Sequence, residues 1–362
     1  MKETIWIIIW QLWWGWAERV ATTVWTKLYE KWYQVFYITR YDVKNKYQFK
    51  WEEVCFWDEH STNKIINFFR LFSRAYQIKK IASRHKIDTT VSFQEEFNFP
   101  NIISKILFFN KSKTIVSIRE STNTLSLPNR ILIKLLYKYA KYVVPNSHEE
   151  AENLGKRYWL NKNVKVVYNP LNLKDIKELS KEKIQENIDF SKFTFITVWR
   201  LVYQKNQEFI IKNFIKFNEQ HPTSQLLILW EGNLENYLKN ISNGNKNIHF
   251  LWNKKNVYSY LSKSDCFLFS SNYEWFPNAV MEAMACWLPI ISTKFETWIS
   301  ELLKYWEYWM LIDKNDDNQY IKAMKNIYNQ KSTRIELSKK SFKTATDFDL
   351  EKVIYDRESL LG

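Results

Sequence analysis

Glycine, cysteine and long hydrophobic runs are all scarce in this sequence. The three cysteines, Cys55, Cys266 and Cys286, are far apart and match no metal-binding or Cys-x-x-Cys spacing, which predicts reduced thiols in a cytosolic protein. The apolar run at 5–17 is too short to span a bilayer. It also has neither the basic leader nor the cleavage site of a signal peptide. We interpret it as a buried first strand that continues into a loop.

Tryptophan is the residue in excess. The chain has 5 glycines and 18 tryptophans, and the two together approach the ~7% that glycine alone usually contributes. Hydrophobic residues at 46% and charged residues at 25% are otherwise typical of a soluble globular protein, and 362 residues suffice for two domains. The shortage of glycine and the surplus of tryptophan therefore point to one cause.

Positive charge is concentrated in the first half of the chain. The net charge is +14, and residues 1–190 hold 31 Lys and Arg against 20 Asp and Glu, whereas residues 191–362 hold 22 against 19. A basic N-terminal half indicates an anionic partner, which could be nucleic acid, a membrane surface or a phosphorylated substrate. A merely soluble surface explains the charge equally well.

Two series of alternating strands and helices are predicted. Helical periodicity is clearest at 63–86, 130–142 and 206–218. Strands are predicted at 4–9, 34–39, 89–93, 114–119, 142–147 and 164–169, and then at 194–198, 225–229, 247–251, 266–271 and 289–293. Short apolar strands joined by helical crossovers are typical of parallel sheets covered on both faces. Each half is therefore interpreted as a doubly wound domain.

The polar stretch between the two series divides the chain. We predict a first Rossmann-like domain at 1–172, a linker at 173–190, a second Rossmann-like domain at 191–343 and a C-terminal helix at 344–362 that packs back on the first domain. In doubly wound sheets, ligands bind beyond the carboxyl ends of the strands. The residues that directly follow the strands are therefore the first candidates for a binding site.

Tryptophan stands at several of these strand ends. Trp199, Trp230 and Trp252 each follow a predicted strand, and Trp275 and Trp287 flank a helix predicted at 276–286. A nucleotide-binding fold normally has glycine at such turns, because glycine adopts left-handed and tight conformations without steric cost. Position 287 is the residue after a helix, and Pro289 prevents that helix from continuing.

Several longer stretches occur in a fixed order, and most of them contain such a tryptophan. They are "LWWGWAERV" (12–20), "VVYNPLN" (166–172), "VWRLVYQKN" (198–206), "LILWEGN" (227–233), "FLWN" (250–253), "SSNYEWFPNAVMEAMACWLPIIST" (270–293) and "TWISELL" (297–303). They resemble the motifs of the retaining glycosyltransferases of family 4, whose members read "GGGGAERV", "VGRLVxxKN", "LGEG" and "EGFPNxxxEAMACGLPVIST". The resemblance implies the GT-B fold, an α/β architecture of two Rossmann-like doubly wound domains that face each other across a cleft. It assigns the acceptor to the first domain and the nucleotide sugar to the second.

The departures from the family pattern are of one kind, in which tryptophan replaces glycine. The tryptophans that stand where the family has glycine are Trp13, Trp14, Trp16, Trp32, Trp159, Trp199, Trp230, Trp252, Trp275, Trp287, Trp298, Trp306 and Trp309. A left-handed residue with a side chain costs ~1–2 kcal/mol, so a dozen of them would exceed the ~5–15 kcal/mol stability of a domain. We hypothesise that the gene encodes glycine there with UGA codons, which the written sequence translates as tryptophan. The alternative is that the indoles are real and form aromatic platforms.

The resemblance implies three catalytic residues in the second domain. Arg200 and Lys205 would neutralise the diphosphate of the leaving nucleotide, which stabilises charge that grows in the transition state. Glu274 would contact the donor sugar, and Glu282 would hold the ribose hydroxyls, since charged acceptors bind neutral polyols well.

Further donor contacts surround the helix predicted after Glu274. The backbone N–H groups of Phe276, Asn278 and Ala279 would lie at a helix N-terminus, which favours the distal phosphate of the donor. Trp275 and Trp199 would lie beside the donor, and the loop that contains Lys254 would face the base.

In the first domain, the loop with Trp14, Gly15 and Trp16, together with Glu18, would approach the phosphates and the acceptor. Arg119 takes the place of a histidine that many family members carry, which puts any step that depends on that histidine in doubt. The remaining histidines match no metal spacing. The resemblance implies no metal and no cofactor beyond the nucleotide diphosphate sugar as co-substrate.

Basic residues recur at helical spacing in the first domain. Arg130, Lys134, Lys138 and Lys141 stand among Leu, Ile and Tyr. An amphipathic basic helix can lie on an anionic membrane surface, or it can be an ordinary core helix with a charged outer face. The basic half-chain favours the membrane surface, where a lipid-linked acceptor would be presented.

The expected function is that of a retaining, metal-independent glycosyltransferase. It would move a sugar from a nucleotide diphosphate sugar to a lipid-linked glycan in cell-surface polysaccharide assembly. We expect a cytoplasmic protein, peripheral on the inner face of the cell membrane. The alternatives are a catalytically inactive GT-B scaffold and a basic nucleic-acid-binding protein. The lack of a groove-reading or stacking motif weighs against nucleic acid as a partner.

Overall fold

The computed structural model of the chain describes residues 3–9, 16–39, 53–55, 64–119, 122, 124–274, 276–294 and 309–361, with the side chains of 16–19, 37–39, 53–55, 64–68 and 309 outside that description. The chain divides into two units. The first unit comprises Met1–Pro170 and Leu350–Gly362, and the second comprises Leu171–Asp349. The stretch at 173–190, expected as a linker, therefore lies within the second unit. The final helix is grouped with the first unit.

The first unit alternates strands and helices. Its elements are β1 (Thr4–Ile8), α1 (Trp16–Glu30), β2 (Gln34–Thr39), β3 (Glu53–Cys55), α2 (Lys64–Arg84), β4 (Thr89–Phe93), α3 (Glu95–Phe108), β5 (Lys113–Ser117), α4 (Leu127–Leu136), β6 (Tyr142–Val144) and α5 (His148–Tyr158). A 3₁₀ turn at Tyr137–Tyr139 follows α4. Every strand pair of this sheet is parallel, in the order β3-β2-β1-β4-β5-β6.

The second unit repeats this arrangement. Its elements are α6 (Leu173–Leu179), β7 (Phe193–Val198), α7 (Gln207–Gln220), β8 (Ser224–Leu229), α8 (Glu235–Ile241), β9 (Ile248–Phe250), α9 (Tyr258–Leu261), β10 (Cys266–Phe269), α10 (Asn278–Ala285), β11 (Ile290–Thr293), β12 (Trp309–Ile312), α11 (Asp317–Asn329) and α12 (Lys331–Ala345). The sheet is parallel, in the order β12-β11-β10-β7-β8-β9. The chain then returns to the first unit as α13 (Leu350–Leu361).

Both sheets have the strand order of the doubly wound dinucleotide-binding fold, which confirms the predicted fold class. In such a sheet the strand order reverses between two neighbouring central strands, and a crevice forms beyond their carboxyl ends. The reversal falls between β1 and β4 in the first unit and between β7 and β10 in the second. These two places are where a ligand is expected.

Alternating residues of β1 bury both faces of the first sheet. Ile5 and Ile7 pack with α1 and with Ile354 of α13, whereas Trp6 and Ile8 pack on the opposite face. This is the period of two that a strand imposes on its side chains. The packing of Ile354 explains why α13 belongs to the first unit.

Three predicted elements differ from the structure. The strand predicted at 164–169 is reduced to a single bridge between Val164 and Val143. The strands β3 and β12 were not predicted. Within the described part of the chain, no helix is long and apolar enough to cross a membrane.

Candidate active site

The loops that follow β7 and β10 meet at the reversal point of the second sheet. Asn272 donates its backbone N–H to the Gln204 carbonyl at 2.8 Å, and Gln204 Nε2 donates to the Tyr273 carbonyl at 3.0 Å. Asn272 Nδ2 also donates to the carbonyl of Tyr203 at 2.9 Å. These bonds fix two loops from different strands against each other, so the side chains they carry have defined positions.

A buried ion pair lies at this junction. The ammonium of Lys205, on the 3₁₀ turn Tyr203–Lys205, donates to Oε1 of Glu274, and the two residues are 7% and 3% exposed. Ser271 Oγ donates to the same carboxylate oxygen at 2.6 Å. Burial disfavours both charges. It lowers the pKa of Lys205 and raises the pKa of Glu274, although the partner charge opposes each shift.

Arg200 lies next to this pair without joining it. Its side chain is exposed, while its carbonyl accepts a hydrogen bond from Gln207 Nε2 at 2.8 Å. The nearby charge of Arg200 contributes to lowering the pKa of Lys205 and opposes the rise in the pKa of Glu274. The structure therefore brings together all three residues that the sequence suggested as catalytic, with Arg200 facing solvent.

Glu282 lies on α10 and is buried. Tyr258, at the start of α9, donates its hydroxyl hydrogen to Glu282 Oε1. The sequence did not single out Tyr258, because a lone tyrosine in an apolar run carries no signal of its own. The hydroxyl fixes the carboxylate from one side.

The start of α10 only partly matches the expected phosphate cradle. Phe276 and Ala279 are buried there, but the Asn278 N–H donates to the Phe276 carbonyl at 2.9 Å. In this conformation the Asn278 amide is bonded internally, and its contact with the distal phosphate of a donor stays a prediction. Trp275 lies outside the described residues.

Lys254 does not face an open site. Its ammonium is bonded to Glu186, which also accepts a hydrogen bond from the Tyr260 hydroxyl. Burial opposes ionisation of Glu186, but the two donors leave its pKa below the usual value. The expected contact of Lys254 with a nucleotide base would require this ion pair to open.

Trp199 fills the space beside Lys205. The Lys205 ammonium lies 4.0 Å from the centre of the Trp199 ring, and the ring of Phe269 is 5.3 Å away. The indole is buried, and among the described residues its Nε1 has no hydrogen-bond partner. A buried N–H without an acceptor is unfavourable, but Trp6 and Trp25, which lie outside the family-glycine set, share this feature.

In the first unit, Arg119 follows β5. Its Nη1 donates to Asn169 Oδ1, and its guanidinium carbon lies 4.9 Å from the centre of the Phe93 ring. Trp16 and Glu18 are in the first turn of α1, with side chains outside the description. Trp14 and Gly15 lie outside the described residues.

Five tryptophans from the family-glycine set have positive φ. They are Trp32 (73°), Trp159 (57°), Trp230 (109°), Trp252 (53°) and Trp287 (64°). A left-handed backbone conformation is favourable for glycine and raises the free energy of a residue that has a β-carbon. The backbone at these positions is therefore that of glycine.

Two of these tryptophans occupy the glycine position of a Schellman motif. After α10, Leu288 N–H bonds to the Ala283 carbonyl and Trp287 N–H to the Met284 carbonyl. After α1, Tyr33 bonds to Leu28 and Trp32 to Tyr29 in the same pattern. This 6→1 and 5→2 pair of bonds usually has a left-handed glycine at its turning residue.

Two parallel sheets of this order, with a charged site beyond β7 and β10, define a protein of the GT-B fold. The structure is similar to that of HepE from Anabaena, solved in complex with UDP. The TM-score is 0.80, with 15% sequence identity and 99% of each chain covered.

Sequence comparison identifies the family. A model of the glycosyl transferases group 1 matches residues 179–344. An uncharacterized glycosyltransferase of Methanocaldococcus jannaschii is 30% identical over 285 residues, which cover 74% of this chain and 70% of the relative. The chain belongs to the group 1 glycosyl transferases, and it is a glycosyltransferase.

A relative of defined activity matches nearly the whole chain. It is the N-acetylgalactosamine-N,N'-diacetylbacillosaminyl-diphospho-undecaprenol 4-alpha-N-acetylgalactosaminyltransferase of Campylobacter jejuni. It is 28% identical over 372 residues, which cover 98% of this chain and 99% of the relative.

Proposed function

We propose that the protein transfers a sugar, with retention of configuration, from a nucleotide diphosphate sugar to a lipid-linked glycan. The observation that carries this proposal is the meeting of Arg200, Lys205 and Glu274 beyond β7 and β10, where doubly wound sheets bind ligands. HepE, which shares the fold, binds UDP. The substrate named for the Campylobacter jejuni relative is linked to undecaprenol through a diphosphate.

In this mechanism the donor opens the ion pair. An incoming diphosphate would draw Lys205 toward it, and Arg200 would add a second cation to the leaving group. Glu274 would then accept hydrogen bonds from the sugar hydroxyls, while Glu282 holds the ribose. The acceptor attacks from the face that the diphosphate leaves, and the leaving diphosphate removes the acceptor proton. No metal, further cofactor or enzyme nucleophile is required, as in family 4.

The reaction test uses the glycine form, in which the family-glycine tryptophans are replaced by glycine. UDP-sugars are supplied with a polyprenyl-diphosphate-linked saccharide in EDTA, and the product linkage is determined by NMR. We expect transfer with an α-linkage from an α-donor. A β-linked product would overturn retention, and activity only after added divalent metal would overturn metal independence. Failure to hydrolyse or transfer from any nucleotide sugar would favour the inactive scaffold.

We further propose that the natural protein carries glycine at the family-glycine positions. The positive φ of the five tryptophans and the two Schellman motifs support this. Glycine at 199 would also clear the space that the indole fills beside Lys205, where a phosphate has to approach. Peptide mass spectrometry of protein from the native cell tests the proposal. Tryptophan at 199, 252 and 287 would contradict it and would favour the inactive scaffold.

The proposed membrane contact is the basic–apolar face of α4 and the turn after it. Three apolar side chains at a spacing of four, Leu127, Ile131 and Leu135, are exposed, as is Tyr139. Three exposed lysines, Lys134, Lys138 and Lys141, adjoin them. Arg130 is engaged in the fold, since its Nε donates to the Leu125 carbonyl at 2.8 Å. An apolar stripe with cationic neighbours fits the interface of an anionic bilayer.

Vesicle flotation tests this face and the expected position on the inner face of the cell membrane. Changing Lys134, Lys138 and Lys141 together to Glu should release the protein from phosphatidylglycerol vesicles. The matched control changes Lys174, Lys177 and Lys183, exposed lysines of the second unit, to Glu. Equal loss of binding in both variants, or no binding by the parent chain, would refute docking through α4.

A further inference from the structure

Among the described residues of the first unit, two arginines each have both the Nε and the Nη2 atom buried without a partner. The Nε and Nη2 atoms of Arg119 and of Arg357 are all buried and make no hydrogen bond in the described part of the chain. Arg357 is 4% exposed as a whole residue, and Arg119 is partly exposed. Unpaired guanidinium groups in such surroundings are rare, because buried charges are normally paired.

The fold places these arginines at a ligand-binding edge. Arg119 comes directly after β5, and Phe93, whose ring it covers at 4.9 Å, is the last residue of β4. β4 is one of the two strands at the reversal point of the first sheet. Arg357 reaches the same region from α13, the helix that returns to this unit. Strand ends at a reversal point form the binding crevice of this fold.

The two cations act on each other. Burial lowers the pKa of Arg119, and the nearby charge of Arg357 lowers it further. Burial also lowers the pKa of Arg357 to about 10, with only the adjacent Asp356 opposing the shift. Two like charges repel each other, so within the described residues this region has an excess of positive charge, which Asp356 offsets in part.

Arg74 is a buried arginine of the same unit with a purely structural role, and its contacts can be compared with those of Arg119 and Arg357. It is also buried, but its Nη1 donates to Glu96 at 2.8 Å. Arg119 has only the neutral Asn169 oxygen as an acceptor. The difference indicates that the charge of Arg119 and Arg357 is balanced by something that the protein binds.

We propose that Arg119 and Arg357 form a binding site for a phosphate or diphosphate group. Guanidinium groups match phosphate oxygens through paired N–H donors, and the unpaired Nε and Nη2 atoms of each arginine form such a fork. The assignment of this group to the diphosphate of a lipid-linked acceptor rests on the proposed function. The anion site itself does not depend on it.

Thermal unfolding with inorganic pyrophosphate tests the anion site. The Arg200→Ala background removes one of the two cations of the donor site and so reduces the contribution of that site, and comparison with Arg357→Met then identifies the contribution of the first unit. Millimolar pyrophosphate should raise Tm by a few degrees. Arg357→Met and Arg119→Met should each weaken pyrophosphate binding by at least ~10-fold, since each removes a charged hydrogen-bond donor.

The matched control is Arg74→Met, which removes a paired arginine from the same unit. It should lower Tm while leaving the pyrophosphate response unchanged. Arg357→Met should keep or raise Tm without pyrophosphate, because an apolar side chain of similar length replaces an unbalanced charge. Equal pyrophosphate responses in the parent and in Arg357→Met would overturn the proposal.

A second measurement separates the two sources of a diphosphate. Binding is compared for UDP and for phosphatidylcholine vesicles that contain either a polyprenyl diphosphate or the corresponding alcohol. We expect Arg357→Met to lose the preference for the diphosphate vesicles and to keep UDP binding. Loss of UDP binding instead would place the donor at this site and overturn the assignment to the acceptor. Absence of donor hydrolysis in the glycine form with Arg200 intact would refute the proposed function alone, since the pyrophosphate response does not require turnover.

Discussion

The two units have the same strand order, but the charges beyond their central strands are arranged differently. In the second unit, the buried ammonium of Lys205 is bonded to Glu274. In the first unit, Arg119 and Arg357 share a buried region, and no carboxylate of the described residues bonds to either guanidinium. One fold therefore supports one site whose buried charges are paired within the protein and one whose buried charges are not.

This difference indicates how each site would meet an anion. The ion pair between Lys205 and Glu274 has to break before Lys205 can bind a diphosphate. Binding of the donor is therefore coupled to a rearrangement around Glu274. Arg119 and Arg357 of the first unit have hydrogen-bond donors that are not in use, so no ion pair has to break before they bind an anion. Replacing Glu274 in the second unit should therefore lower the stability of the protein, whereas replacing Arg119 or Arg357 in the first unit should leave it nearly unchanged.

The largest effect is expected for Glu274→Gln. The change leaves the buried Lys205 ammonium without its counter-charge, and breaking a buried ion pair in this way costs ~3–5 kcal/mol. Urea unfolding combined with hydrogen exchange should locate the loss in 171–349. Glu152→Gln, in the exposed pair with Lys156, is the matched control and should leave stability unchanged. If Glu274→Gln were as stable as Glu152→Gln, the contrast between the two units would fail.

The next effect concerns catalysis by the glycine form. Arg200→Ala should lower kcat by ~100-fold or more, because Arg200 would face charge that grows as the diphosphate leaves. Glu282→Ala should mainly raise KM for the donor, by an amount worth ~1.5–3 kcal/mol, since ribose contacts are equal in the ground and transition states. Steady-state donor hydrolysis measures both.

Two controls make these kinetic results specific. Glu282→Gln keeps an acceptor for the Tyr258 hydroxyl, so α10 should not be disturbed in this variant. A rise in KM in Glu282→Gln would therefore report the loss of the ribose contact alone. Lys212→Ala removes an exposed cation from the same unit and should leave both constants unchanged. An unchanged kcat in Arg200→Ala would mean that the diphosphate is neutralised elsewhere.

The smallest effect is expected for Trp32→Gly, and Trp25, a buried tryptophan of α1, serves as its comparison. Trp32 is 81% exposed with a φ of 73°, so Trp32→Gly should stabilise the chain by up to ~1 kcal/mol. Trp25 is 2% exposed in the core, and Trp25→Gly should destabilise the chain by ~3–5 kcal/mol or more. Urea unfolding of each single variant measures the two changes. Destabilisation by Trp32→Gly would argue that this indole belongs to the natural protein.

The sequence was informative where its patterns were long. The central strands and the long helix at 64–84 follow from apolar runs and helical periodicity, and both sheets are present as predicted. The strand β3 was missed because its residues do not form an apolar run, and β12 was missed as well. The strand predicted at 164–169 is not formed as such, since an apolar stretch also suits an extended segment with a single bridge.

Local sequence also identified the unusual turns. The motifs mark Trp32, Trp159 and Trp287 as glycine positions, and these residues have the left-handed backbone that favours glycine. A helix end is a local structure, because its turning residue and its bonding partners lie within six positions of each other. The same stretch of sequence therefore contains the whole signal.

The sequence by itself determined the doubly wound fold class, the order of the elements and the candidate residues at the strand ends, because these depend on local periodicity and on motifs. Only the tertiary structure decided which charges meet. Lys205 and Glu274 are 69 positions apart, and Arg357 reaches the region of Arg119 from the final helix. Such contacts depend on strand order and on the path of the chain, and burial then changes the energy of each charge. No local pattern contains that information.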